Sequence, residues 1–345
     1  MIWGKINEII GGVTILLLLT LTDGIAQDAQ SSQMYSMPMH LNPAYTGSSD
    51  FSNAYFNSRI QYPEIAYPYT SIRFAADYSL YKIPSGVGLI MSHEKTGPGN
   101  LSKTSIGALY SYFFKVNKDW ELRTGIRASA VFQKTAFANY IFGDQISSNG
   151  SFLGSSQEDL SVGESIIYPD IQLGALIQNE AAWFGIAVDH ITEPDQSFFE
   201  GESKLPRHYS VHAGYKFGFI NANGRILKQL KEFSITPMAL FWAQGRFKRL
   251  ELGTHFVYEP LMLGFWYRGI PIGNNEAGYL NQDALVFLVG FYTSSFTIGY
   301  SYDFIISPLG PSAGGAHEIT FKIDFGFYAM GSKKSYRKRW PNPRL

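Results

Sequence analysis

Glu318-Ile319-Thr320-Phe321-Lys322-Ile323-Asp324-Phe325-Gly326-Phe327 is the stretch that decides the fold. In an extended chain Ile319, Phe321, Ile323, Phe325 and Phe327 share one face, and Glu318, Thr320, Lys322, Asp324 and Gly326 share the other. The same period of two recurs upstream. From 295 to 304, Phe296, Ile298, Tyr300, Tyr302 and Phe304 alternate with Ser295, Thr297, Gly299, Ser301 and Asp303. It returns at 70–80, 120–132 and 208–219, where Ile72, Phe74, Tyr78, Ile126, Tyr209 and Val211 occupy apolar faces. Fourteen strands are expected, at about 51–61, 69–80, 86–95, 101–115, 119–133, 169–178, 181–189, 207–217, 232–244, 247–258, 261–269, 283–292, 294–303 and 316–328.

Most of these segments reach the roughly 9–11 residues that a tilted strand needs to cross a bilayer. The count is even, as in closed bacterial barrels. Connection lengths give an independent test. If the first strand runs outward, the inner connections are 81–85, 116–118, 179–180, 218–231, 259–260 and 293, and all but one are tight. The outer ones are 62–68, 96–100, 134–168, 190–206, 245–246, 270–282 and 304–315, and most are long. A soluble sandwich has no reason to sort loop lengths by parity, and it would have to bury these aromatic faces against a second sheet. A transmembrane antiparallel β-barrel, with short periplasmic turns and long extracellular loops, satisfies both observations and leaves no open strand edge.

Composition fits that reading. The chain has 345 residues with 26 Phe, 22 Tyr and 34 Gly, but only 16% charged residues, against about 25% in soluble domains. Its 28 basic and 28 acidic residues cancel, which argues against a nucleic-acid partner. No cysteine is present, so disulfides and thiolate metal sites are excluded. Lys5, the apolar run around Leu16–Leu19 and the small residues Gly24 and Ala26 describe a signal peptide over 1–26. The expected organisation is then a periplasmic segment or partial plug at 27–50, a barrel over 51–328 and a basic periplasmic tail at 329–345. Both termini are expected in the periplasm.

Several short segments carry a resemblance. Gln33 is followed by Leu41-Asn42-Pro43-Ala44-Tyr45-Thr46-Gly47-Ser48, then Gly86-Val87-Gly88-Leu89, Gly97-Pro98 and Leu101-Ser102-Lys103-Thr104. Gly107-Ala108-Leu109-Tyr110-Ser111-Tyr112, His208-Tyr209-Ser210-Val211-His212-Ala213-Gly214-Tyr215, Gly299-Tyr300-Ser301-Tyr302-Asp303 and Ser307-Pro308-Leu309-Gly310 come next. Gly315-Ala316-His317-Glu318-Ile319 closes the series. In that order the set resembles the PorP/SprF family of Bacteroidetes outer-membrane proteins, which serve type IX secretion and gliding motility. The resemblance implies a non-enzymatic component that anchors or assists export of a large surface adhesin and contacts a subunit or lipoprotein of the periplasmic ring. Family members often end in a basic stretch with Cys-Pro; this chain ends Trp340-Pro341-Asn342-Pro343-Arg344-Leu345.

Candidate chemistry is sparse. His208 and His212 lie four apart, which on a strand leaves them about 13 Å apart, too far for one ion. No nucleophile elbow or phosphate-binding loop occurs, and no catalytic, cofactor or metal residues are expected. Arg73, Asp77, Glu121, Arg123, Arg127, Lys216, Arg249, Glu251, Glu318, Lys322 and Asp324 fall on the lumen face. Their mixed sign points to mutual pairing, where a selective pore would cluster one sign. The tail cations Lys333, Lys334, Arg337, Lys338, Arg339 and Arg344 form the candidate partner-binding site. A porin, or a FadL-like transporter of small or hydrophobic solutes, is the competing function, and it differs in requiring an open or openable lumen.

Overall fold

A computed structural model describes residues 28, 30–49, 52–80, 83–97, 99–136, 140–147, 151–152, 154, 156, 165–198, 202–219, 233–274, 280–293 and 295–325. The signal segment and the basic tail lie outside the described residues. The strands are β1 (Ser52–Gln61), β2 (Tyr69–Leu80), β3 (Ser85–Thr96), β4 (Leu101–Lys115), β5 (Glu121–Lys134), β6 (Ser165–Gln178) and β7 (Ala182–Asp189). After them come β8 (His208–Tyr215, continued by Phe217–Phe219), β9 (Phe233–Gln244), β10 (Phe247–Tyr258), β11 (Leu261–Asn274), β12 (Leu280–Tyr292), β13 (Phe296–Ile305) and β14 (Ala316–Phe325). The two pieces of β8 meet β9 in one unbroken register, Met238 opposite Gly214 and Ile235 opposite Phe217, so they count as one strand.

Each strand pairs antiparallel with the next, and β1 pairs with β14 from Ser52–Phe325 to Gln61–Ala316. The sheet therefore closes into a fourteen-stranded antiparallel barrel with no free edge of the kind lipid forbids. Among the described residues no helix is long and apolar enough to cross a membrane, so the crossing elements are strands. Apolar side chains of the wall face outward: Ile72, Phe74, Leu89, Ile126, Phe184 and Phe287 are all exposed. The opposite faces carry the polar and charged residues, and these are buried.

Two strands run longer than the sequence suggests. β6 begins at Ser165, because Pro169 reads as a strand start but sits inside one, opposite Ala130. Its carbonyl accepts from Thr192 on the side away from β5, so its nitrogen also faces an edge where no ladder bond is needed. β11 continues past Pro271 to Asn274 through a register shift at Gly269, whose φ of 146° suits glycine alone.

Candidate functional site: an occupied lumen

A barrel of eight strands is just filled by its own side chains, whereas sixteen leave an aqueous channel. Fourteen strands leave a lumen that needs an occupant. Here the occupant is the chain itself. Residues 28 and 30–49 run along the lumen from the mouth bearing the long loops, where Asp28 meets Gln244, to the mouth bearing the short turns, where Gly47 meets Gly86. Three single turns, Met34–Ser36, Pro38–Leu41 and Pro43–Tyr45, shorten the segment and close its local backbone bonds. Every residue from Leu41 to Ser48 is buried.

Four sets of contacts hold the segment. The first spans the seam where β1 meets β14. Arg59 on β1 reaches Glu318 on β14 at 3.0 Å and Asp303 on β13 at 2.9 Å, and Arg268 on β11 reaches Asp303 at 2.8 Å. Ser32 enters this network: both guanidiniums donate to its Oγ, at 2.7 and 2.9 Å, and its backbone N–H donates to Glu318 at 2.7 Å. Ser31 Oγ donates to the other Glu318 oxygen, and Gln33 Nε2 donates to the Glu318 carbonyl at 2.9 Å. Glu251 lies 3.4 Å from Arg268 and 3.0 Å from Arg249. Three arginines thus face three buried carboxylates, with the partly exposed Asp283 a further 3.6 Å from Arg268, which answers the need of buried charges for partners.

The second set is apolar. Tyr35 stacks on Trp266 with ring centroids 5.5 Å apart, meets Trp183 edge-on, and donates its hydroxyl to the Ala239 carbonyl at 3.1 Å. Met37, Met39 and Leu41 fill the space beside Leu176, Met238 and Leu240. Unbranched methionines suit an irregular gap between a segment and a curved wall.

The third set is a polar pin. Asn42 Nδ2 donates to the carbonyls of Ala175 and Ile186, each at 3.1 Å, while its Oδ1 accepts from Ala44 N–H. Tyr45 stacks on His212 at 5.5 Å. On β5, next to β6, Arg123 donates to the Ala44 and Thr46 carbonyls, both at 2.9 Å, and to Glu121 at 2.8 Å. Asp77 accepts from Gly47 N–H at 2.6 Å. The wall is thinned to glycine where the segment passes. A Cβ at Gly174 would collide with the Asn42 side chain, and one at Gly125 with the Pro43–Ala44 backbone.

The fourth set closes the long-loop mouth. Asp28 accepts from His190 Nε2 at 2.7 Å and from Lys103 at 3.4 Å. His190 Nδ1 faces Asp170 at 3.0 Å, and Arg127 holds Asp189 at 2.7 Å. Asp170, Asp189 and His190 are close enough to share an ion. Arg127 and the imidazole N–H groups already occupy the carboxylates, so the chemistry of the set is that of an ion-pair cluster. Beside it lies a cavity of about 910 Å³, counting the part open to solvent, lined among others by Arg73, Glu94, His40 and Trp242.

The family scan matches "Type IX secretion system membrane protein PorP/SprF" over residues 24–323, nearly the whole chain. The chain belongs to the PorP/SprF family. A search of curated proteins returns no match. Solved structures that resemble the fold include the CymD monoaromatic hydrocarbon channel, 11% identical over 88% of this chain and 95% of that one, TM-score 0.42. A Pseudomonas aeruginosa FadL homologue is 12% identical over 83% and 93%, TM-score 0.40. Acinetobacter baumannii Omp33 is 10% identical over 81% and 100%, TM-score 0.38. A PorP/SprF protein of this architecture is an outer-membrane β-barrel of the type IX secretion system.

Within this PorP/SprF barrel, mutual pairing describes the expected lumen charges Arg73, Glu121, Arg123, Arg127, Arg249, Glu251, Glu318, Lys322 and Asp324. Asp77 instead accepts from Asn53 and Gly47. The six tail cations lie outside the described residues. Sequence reasoning did not single out Arg59, Arg268, Asp303, Asp28 or His190. Strand parity alone places Arg59 and Asp303 on the lumen face. Nothing local marks Asp28 or His190, whose partners lie across the barrel. The first and last described residues, Asp28 and Phe325, lie at opposite mouths, and both chain termini lie outside the described residues.

Two expected outcomes follow from the segment's contacts. Burial alone would push the His190 imidazole down, but Asp28 and Asp170 outweigh it and raise it to about 10. Burial would raise the Asp28 carboxyl, yet His190 and Lys103 hold it well below its usual value. For the histidine, raised in the folded state, the contribution is complete below its unfolded pKa of about 6.5 and lost as pH climbs through about 10. For the depressed aspartate it is present above about 3.9 and lost in strong acid. Proteolytic nicking near residue 30 is therefore expected to be slow around pH 5–6 and to accelerate toward pH 10; a flat profile would contradict the pairing. Replacing Gly174 with Leu is expected to push Asn42 off its two carbonyls at a cost of about 1–3 kcal/mol. Faster amide exchange at Ala44 and Thr46 is the signature to look for.

Proposed function

We propose that this barrel is an occluded outer-membrane platform rather than a conduit. It anchors, or assists the export of, a large surface adhesin at its long-loop face, and docks a periplasmic ring subunit through Lys333, Lys334, Arg337, Lys338, Arg339 and Arg344. The observation that carries the reading is the occupied lumen. A segment held by four sets of contacts, one of them a balanced buried ion network, leaves solutes no continuous path, so the useful surfaces are the mouths and loops. Family membership supports a place in type IX secretion. The short turns would face the periplasm, which sets the tail beside the ring and brings the start of the mature chain to the outer mouth. The long-loop cavity, bordered by Arg73, Glu94, Lys103 and Asp170, would offer the adhesin a polar, mixed-charge recess.

A crosslinked pull-down from native outer membranes, comparing the full chain with one ending at Met330, tests this. Recovery of a large secreted protein with both, and of ring subunits only with the full chain, supports the assignment of both faces. No envelope partner, together with ion conduction by the purified full chain, would return the porin or transporter reading to the front.

A further inference from the structure

We propose that the outward face of β2–β6 at the long-loop rim binds the phosphorylated headgroup of a lipid in the surrounding leaflet. The strand register defines rows of outward side chains around this wall. The third row from the rim is Phe74, Met91, Ile106, Ala130 and Pro169, and the second is Ile72, His93, Thr104, Phe132 and Ile167. The rim row is Thr70, Lys95, Ser102, Lys134 and Ser165, with no apolar side chain in it. Two residues along a strand advance about 7 Å, so the surface passes from hydrocarbon-compatible to wholly polar over one headgroup's depth.

Lys95 and Lys134 are exposed and sit on either side of Ser102. Two strand spacings of about 4.8 Å separate their backbones by roughly 10 Å, within reach of a single phosphate for side chains of that length. His93, in the next row down, bonds Thr104 at 2.9 Å and adds a further polar group below the lysines. Glu94, the nearest carboxylate in sequence, points the other way and pairs with Arg73 in the lumen at 3.5 Å. Among the described residues neither lysine has an acidic partner. Two cations and three hydroxyls at the edge of an apolar band, with no anion among the described residues to answer them, match a phosphate carried on acyl chains. Elsewhere on the rim Lys248 stands opposite Ala243, next to Tyr209, without such a row of hydroxyls beside it. This site is independent of the type IX reading, since it concerns the lipid annulus alone.

The test uses full-length protein extracted in mild detergent, with phosphorylated lipid retained per barrel counted by native mass spectrometry. Retention is expected in the wild type and in K248Q, and roughly 30-fold weaker retention in K95Q/K134Q, at the usual contribution of a lysine near an anionic surface. Heat-modifiable migration on gels reports folding. The single variants K95Q and K134Q, each with an intermediate loss, keep the test decisive should the double variant not fold. Equal retention in all variants would overturn the proposal. So would inorganic phosphate displacing the lipid at equal concentration, which would reduce the site to a simple anion site.

Discussion

Excising Ser31–Thr46 should turn an insulating barrel into a conducting one. The full-length protein is expected to give no steady steps in planar bilayers, because the segment crosses its lumen and every residue from Leu41 to Ser48 is buried there. Without the segment, the wall encloses the span of fourteen strands, between barrels that side chains fill and barrels that carry water. The interior face would be lined by Arg59, Arg268, Arg123, Asp303, Glu318 and Glu121, all polar and all hydrated. An increase in conductance of at least about tenfold is expected. A full-length protein that conducts as well as the excised one would remove the ground for calling this an occluded platform.

The largest single-residue effect is expected at Arg59. Its guanidinium is fully buried and bridges β1, β13, β14 and Ser32. Arg59→Ala leaves Glu318 buried without a cationic partner and removes one of the two cationic donors to Asp303, leaving Arg268 and the Ser32 hydroxyl. Removing one member of a buried ion pair costs about 3–5 kcal/mol. Denaturant unfolding in detergent or liposomes, followed by heat-modifiable migration, would read the loss. Arg59→Lys should recover only part of it, since one ammonium cannot replace a fork that reaches two carboxylates and a hydroxyl. A change below about 1 kcal/mol, the range of a surface pair, would mean that the seam network is solvated.

Much of the barrel is legible in the sequence because lipid imposes a period of two that no propensity obscures. Ile319–Phe327 and Phe296–Phe304 announce their faces directly. Boundaries slip where that period meets proline or a bulge, as at Pro169 and Gly269, since ladder geometry depends on the neighbouring strand. The occupied lumen is only partly legible. Met34, Met37, Met39 and Leu41 are too apolar to stay in water, which suggests a plug. Its course along the whole barrel depends on pairings such as Ser32 with Glu318 and Asn42 with Ile186. Those partners lie 286 and 144 residues apart, and no local pattern encodes such distances. The candidate tail has the opposite character: plain in the sequence as a run of six cations, and outside the described residues.

The seam network also fixes an order of events at the membrane. The segment precedes β1 in the chain, yet it lies inside the ring that β1 and β14 close. A ring sealed without it would have to be threaded afterwards by a chain end carrying several turns, a route that proteins avoid. Ser31, Ser32 and Gln33 instead touch β1, β13 and β14 together. They stand where the first and last strands must meet, as a template does at a joint. Closure is therefore expected to wait for the segment, and a barrel zipped up empty would be a dead-end product that membrane quality control must clear.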